Sequence, residues 1–141
     1  MVDVKVVAGE RRFVQQIEVG RHRLIGDEPV EKGGTDAGPN PYGFLLAALG
    51  SCTSATVRMV ADRKGIPLHG IAVRLRHEKV SEPAPADSDV DLIRYDRITR
   101  EIELDGPLDE EQRLYLIEIA KKCPVHRTLK GDVRIDTRLV G

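Results

Sequence analysis

The chain has 141 residues, 40% hydrophobic and 32% charged, with 22 basic and 23 acidic side chains and a net charge of -1. That length and balance suit one soluble domain, and 1–141 reads as a single unit. No basic run exceeds two residues, and with three Tyr, two Phe and no Trp the basic stripe and stacking aromatics of a nucleic-acid binder are both missing.

The start, "MVDVKVVAGERRF", lacks the basic-then-apolar layout of a secretory signal. No run reaches the roughly 18 consecutive apolar residues of a membrane span. The expectation is a cytoplasmic protein with no nucleic-acid or membrane partner, in a compartment that keeps thiols reduced. "VDVKVVA" and "RFVQQIEV", parted by the turn signal Gly9-Glu10, read as strands, and "GRHRLIGDEP" as a third that ends near Pro29. "VEKGGTDAGPNP" is a loop by its Gly and Pro content.

A helix is expected from Pro41, with Asn40 as N-cap, to a stop at Gly65. Phe44, Leu45, Ala48, Leu49, Cys52, Ala55 and Met59 share one face at i, i+3, i+4 spacing. Leu46, Ala47 and Val57 widen it, which predicts a first half buried on most sides.

Beyond it, "LHGIAVRLRHEKV" alternates as a half-buried strand, with His77 at the core edge. A polar "SEPAPADSDVD" loop leads to an antiparallel neighbour carrying Ile98, Ile102 and Leu104 inward. "LDEEQRLYLIEIAKKC" reads as a second helix, opened by an Asp109/Gln112 capping box and ended at Cys123 by Pro124. A closing strand, "DVRIDTRLV", would point Val133, Ile135, Thr137 and Leu139 inward. The fold class is α+β, helices on antiparallel sheet.

The only cysteines, Cys52 and Cys123, invite four readings: core filling, a disulfide, a metal ligand or a nucleophile. Cys52 lies too far along its helix for the dipole to ionise it. A reactive Cys52 therefore needs a cation from elsewhere, and Arg11, Arg12, Arg21, Arg23 and Arg127 are the candidates. Arg58, six residues on, faces about 240° away. For a metal, Cys123-Pro-Val-His126 is a lone CxxH pair, which is not a zinc pattern.

"TDAGPNPYGFLLAALGSCTSATVRMVADRKGIPL", followed about seventy residues later by "DEEQRLYLIEIAKKCPVHRTL", resembles the OsmC/Ohr family of osmotically inducible and organic hydroperoxide resistance proteins. The resemblance covers nearly the whole chain. It implies antiparallel sheets around a long central helix in an intertwined homodimer. It also implies a thiol peroxidase without cofactor, acting on organic hydroperoxides and recharged by an external dithiol. Cys52 matches the peroxidatic cysteine and Cys123 the resolving one, with Arg12, Arg127 and His126 as supporting residues. The family's carboxylate-held arginine falls at Arg11 or Arg12. The chain departs from the pattern at Tyr42 and Gly43, where the two branches of the family carry an acidic residue. That departure favours, as the alternative, a small-molecule-binding protein with little turnover.

Overall fold

Three antiparallel strands open the chain: β1 (Val4–Ala8), β2 (Gln15–Val19) and β3 (His22–Gly26), in the order β1-β2-β3. Val6 lies opposite Ile17, and Ile17 opposite Leu24, so the apolar residues share one face. The structure, a computed structural model, describes all residues 1–141 and forms two compact units, 1–47 and 48–141.

In the first unit a buried aspartate organises the loop that precedes the long helix. Asp27 is only 3% exposed. Its carboxylate accepts the backbone N–H groups of Glu28 (2.7 Å), Thr35 (3.1 Å) and Ala37 (3.1 Å), and the Thr35 hydroxyl at 2.6 Å. The Thr35 hydroxyl above all, then the Ala37 N–H, lower its pKa to about 2 against the opposing effect of burial. Gly38 passes so close to the Ile25 carbonyl that a Cβ there would collide with it. The loop delivers Asn40, whose side-chain oxygen accepts the Gly43 N–H at 2.8 Å, to the start of α1 (Pro41–Lys64).

The second unit holds the rest of α1 with β4 (Gly70–Pro83), β5 (Leu92–Asp105), α2 (Glu110–Ala120) and α3 (Pro124–Lys130). β4 and β5 pair over their whole length, from Gly70 opposite Asp105 to Pro83 opposite Leu92. Val57, Val60 and Ala61 of α1 pack with Leu116, Ile119 and Ala120 of α2 and with Leu68, flanked by Ile71, Ile102 and Leu104 of the sheet. Gly50 serves this packing. A Cβ there would sit 2.8 Å from Leu75 Cδ1, so the bare backbone leaves room for the tip of the Leu75 side chain against α1, at a helix-propensity cost of about 1 kcal/mol. The Asp109/Gln112 capping box is present.

Three features differ from expectation. The buried face of α1 is Leu49, Thr53, Val57, Val60 and Ala61, whereas Ala47, Ala48, Ala55 and Met59 are exposed. The helix is apolar all round, so periodicity did not select the face; a buried, hydrogen-bonded threonine lies on it. By length and composition α1 is also apolar enough to cross a bilayer. Pro124 does not merely stop the second helix: α2 ends at Ala120, and Pro124 occupies the first turn of a new helix, where its missing N–H costs nothing. Finally, 132–141 forms no strand, and Ile135 and Leu139 are 84% and 90% exposed. Its alternation is that of a strand, but no sheet edge in the chain pairs with it.

Replacing Asp27 by Ala strips four donors of their acceptor, and thermal unfolding should occur several degrees lower. Because the folded-state pKa of Asp27 is depressed, its contribution is whole above the unfolded value of about 3.9 and is lost as pH falls toward about 2. Acid titration of wild type and Asp27→Ala should therefore show their stabilities converging in that window. A constant gap would show that the carboxylate charge is not involved.

Candidate active site

Cys52 is half-buried on α1, and Cys123 is fully buried at the N-cap of α3. Both are free thiols. Cys123 has extended backbone (φ -57°, ψ 134°), and its sulfur accepts the His126 N–H at 3.3 Å, as a capping serine would. This turn faces the middle of α1. Side chains seventy-one positions apart in sequence are thereby brought close enough to shift each other's protonation.

The two sulfurs are polarised in opposite directions. Burial pushes the Cys52 thiol up, but hydrogen bonds from Cys123, the Val125 N–H and Thr56, with the positive charge of Arg100, together carry it below its ordinary value. Burial pushes Cys123 up, and the hydrogen bond and negative charge of Cys52 push it further, against the His126 and Val125 N–H groups. Of the two, Cys52 is thus the sulfur that ionises more readily, and Cys123 the one that keeps its proton.

Arg100 is the cation. It stands on β5 opposite Leu75, on the same face as Ile98, Ile102 and Leu104. Its Nη1 donates to Thr53 Oγ1 at 2.9 Å and its Nη2 to His126 Nδ1 at 3.1 Å. The Thr53 hydroxyl donates onward to the Leu49 carbonyl at 2.7 Å, leaving a lone pair to receive Arg100. Thr53 is fully buried, and the guanidinium is what completes its hydrogen bonding next to Cys52. Beside this group lies a cavity of about 340 Å³ walled by Leu49, Ile98 and Leu129, with Arg100, His126, Lys130 and Asp96 at its polar side. Asp96 is engaged by His77 at 2.8 Å and Lys79 at 3.1 Å.

The structure brings Cys52, Cys123 and His126 together. Arg127 is exposed on α3, with no side-chain hydrogen bond or ion pair. Arg12 belongs to the first unit, where it takes positive φ (51°) and stacks over Phe13 at 4.8 Å. Arg58 donates to the Leu68 carbonyl at 2.6 Å. Arg100 escaped the sequence reading although its signal was present: it is a half-buried charge set between Ile98 and Ile102 on the inward face of the strand. No group of three His, Cys, Asp or Glu side chains is arranged to hold a metal ion.

An α+β unit with two polarised thiols against a long helix defines the class, and comparison with known proteins gives the family. A profile of the OsmC-like protein family matches residues 33–138, so the chain belongs to that family. It is 24% identical over 130 residues to a protein named hydroperoxide reductase from Mycoplasma genitalium, covering 92% of this chain and 86% of the relative. The crystal structure of an OsmC-like protein from Mycoplasma pneumoniae superposes with a TM-score of 0.71 at 23% identity, over 93% of this chain and 88% of the other. That of the organic hydroperoxide resistance protein OhrB of Bacillus subtilis gives 0.63 at 19% identity, over 94% and 92%.

At neutral pH, iodoacetamide should label Cys52 and leave Cys123 unmodified. Cys123→Ala removes a donor to the thiolate and should slow that labelling about tenfold, whereas Cys123→Ser, which keeps a donor, should slow it less. Equal labelling of both sulfurs, read by peptide mass spectrometry, would contradict the assigned polarity.

Proposed function

We propose that the protein is a cysteine-based thiol peroxidase that reduces organic hydroperoxides. The observation that carries this reading is that Cys52 and Cys123 are brought together and shifted in opposite directions, one lowered and the other raised. A peroxidatic centre needs a thiolate with a second thiol in reach, and that is the pair described. The hydroperoxide reductase name of the Mycoplasma genitalium relative agrees with it.

The Cys52 thiolate attacks the terminal oxygen of ROOH, so that an S–O bond forms, the O–O bond breaks and RO⁻ leaves to take a proton as ROH. The sulfur, oxidised by two electrons, is then a sulfenic acid. Cys123 attacks it, expels water and closes a Cys52–Cys123 disulfide. An external dithiol is oxidised in turn and restores both thiols. Electrons come from that dithiol, and the cycle uses neither metal nor flavin. Ionisation alone contributes only about twentyfold over a free thiol that is roughly 5% ionised at neutrality. The rest is assigned to charge stabilisation on the departing oxygen. We give that task to Arg100 rather than Arg12 or Arg127, because Arg100 is held beside Thr53 and acts on the Cys52 charge. The cavity walled by Leu49, Ile98 and Leu129 suits the organic group of the peroxide.

Treatment of the reduced protein with cumene hydroperoxide should consume two thiols per chain and leave one intramolecular disulfide. Cys52→Ser should abolish peroxide consumption, and Cys123→Ser should leave a sulfenic acid that dimedone traps. Undiminished consumption in Cys52→Ser would remove the reading. Slow turnover of wild type with a small molecule retained in native mass spectrometry would favour a binding protein instead.

The working form on this reading is a cytoplasmic homodimer. The exposed Ala48, Ala55 and Met59 of α1, two β4–β5 edges without a neighbour and the strand-like 132–141 all call for cover. Light scattering should give twice the chain mass for the full chain, and deletion of 132–141 should shift it toward the monomer. A full-length chain that stays monomeric at micromolar concentration would contradict this.

A further inference from the structure

Most arginines of this chain that form side-chain pairs find a carboxylate. Arg76 pairs with Glu101, Arg97 with Glu78, Arg58 with Asp62 and Arg23 with Glu18. Arg100 does not. Both of its side-chain partners are uncharged acceptors, the Thr53 hydroxyl and His126 Nδ1. A guanidinium has donors only and stays protonated, so the Nδ1 facing it must be a bare lone pair. His126 is then a neutral imidazole with its proton on Nε2. A proton on Nδ1 would set N–H against N–H and two positive charges in contact. The arrangement exists in one protonation state of the histidine.

A neutral holder differs from a carboxylate in a second way. It orients the guanidinium without cancelling its charge, which remains available to the Cys52 thiolate and to oxygen leaving a peroxide. Cys123 ties the histidine to the same spot, since its sulfur accepts the His126 backbone N–H. We infer that His126 is a positioning residue standing in for a carboxylate: its neutral imidazole aims Arg100 at Cys52, and its protonation releases the guanidinium and switches peroxide reduction off. This rests on the peroxidase reading of Cys52.

The groups around the imidazole favour the neutral state. Arg100 and Asp96 come from β5, with His77 and Lys79 of β4 held on Asp96. Lys121 follows α2, Lys130 lies on α3, and the Cys123 sulfur caps α3. Cys52 reaches the same turn through the Val125 N–H. Burial first, then the charges of Arg100, Lys130 and Lys121, move the His126 pKa below its usual value. A lowered value keeps the switch on at neutral pH and places its loss on the acid side.

The test is the acid limb of kcat/KM for an organic hydroperoxide. Two protonations, at Cys52 and His126, each inactivate, so the limiting slope of its logarithm against pH should approach about two in wild type. His126→Asn places an acceptor near the Nδ1 position that does not titrate. It should keep activity within severalfold at neutral pH and lower the slope to about one. His126→Leu, with no acceptor, should lose roughly tenfold to hundredfold at neutral pH. Independently of turnover, NMR titration should find the His126 imidazole protonating at higher pH in Arg100→Gln than in wild type. A slope of two retained in His126→Asn, or an unmoved His126 titration in Arg100→Gln, overturns the role of His126 while Cys52 peroxidase activity stands. Wild type that consumes no peroxide sinks the peroxidase reading and this inference together, and the NMR shift would then report only the contact.

Discussion

The site depends on two sulfurs placed close enough to shift each other's protonation in opposite directions. Cys52 and Cys123 have identical chemistry in an unfolded chain, and the fold makes them different by letting one donate and the other accept. Burial alone would raise both and leave both inert. What separates them is placement. Cys52 faces donors from a neighbouring helix turn, whereas Cys123 is sealed at 0% exposure with its sulfur already used as a cap. On the proposed reading, this opposite bias makes the first sulfur the attacker and the second the group that resolves it.

The other elements are set by the need to hold that contact. Leu75 of β4 reaches α1 at Gly50, and its register partner Arg100 on β5 reaches Thr53, next to Cys52. Pro124 starts α3 immediately after Cys123 and so directs the Val125 and His126 N–H groups at sulfur. A chain lacking an acidic residue at Tyr42 and Gly43 still holds a cation at the helical cysteine. It does so from another strand, with a histidine rather than a carboxylate. On the role inferred for His126, the positive charge is less neutralised and more dependent on pH than a carboxylate-held one.

Local signals in the sequence were read well where local physics decides. Asn40 and Pro41 start α1, Gly65 with φ of 66° ends it, and Asp109 with Gln112 caps α2. The pairing of β4 with β5 follows from two alternating runs around a polar loop. The buried face of α1 was not legible, because Leu, Ala and Val surround the helix and the face is chosen by what packs on it. The closing run 132–141 carries a strand pattern without a strand in the chain, since strands require a partner and pattern does not supply one. Cys52 and Cys123 were legible as a pair through the motifs around them. Arg100 required the register: only when β5 is aligned with Ile98, Ile102 and Leu104 inward does an arginine among them stand out.

The most direct measurement is an ultraviolet titration of thiolate absorbance in the reduced wild-type protein. If the two sulfurs polarise one another, a single thiolate per chain should form below the usual cysteine value of about 8.5, and the second above it. Two thiolates appearing together near that value would mean that the sulfurs do not polarise one another, and the account of the site would fail.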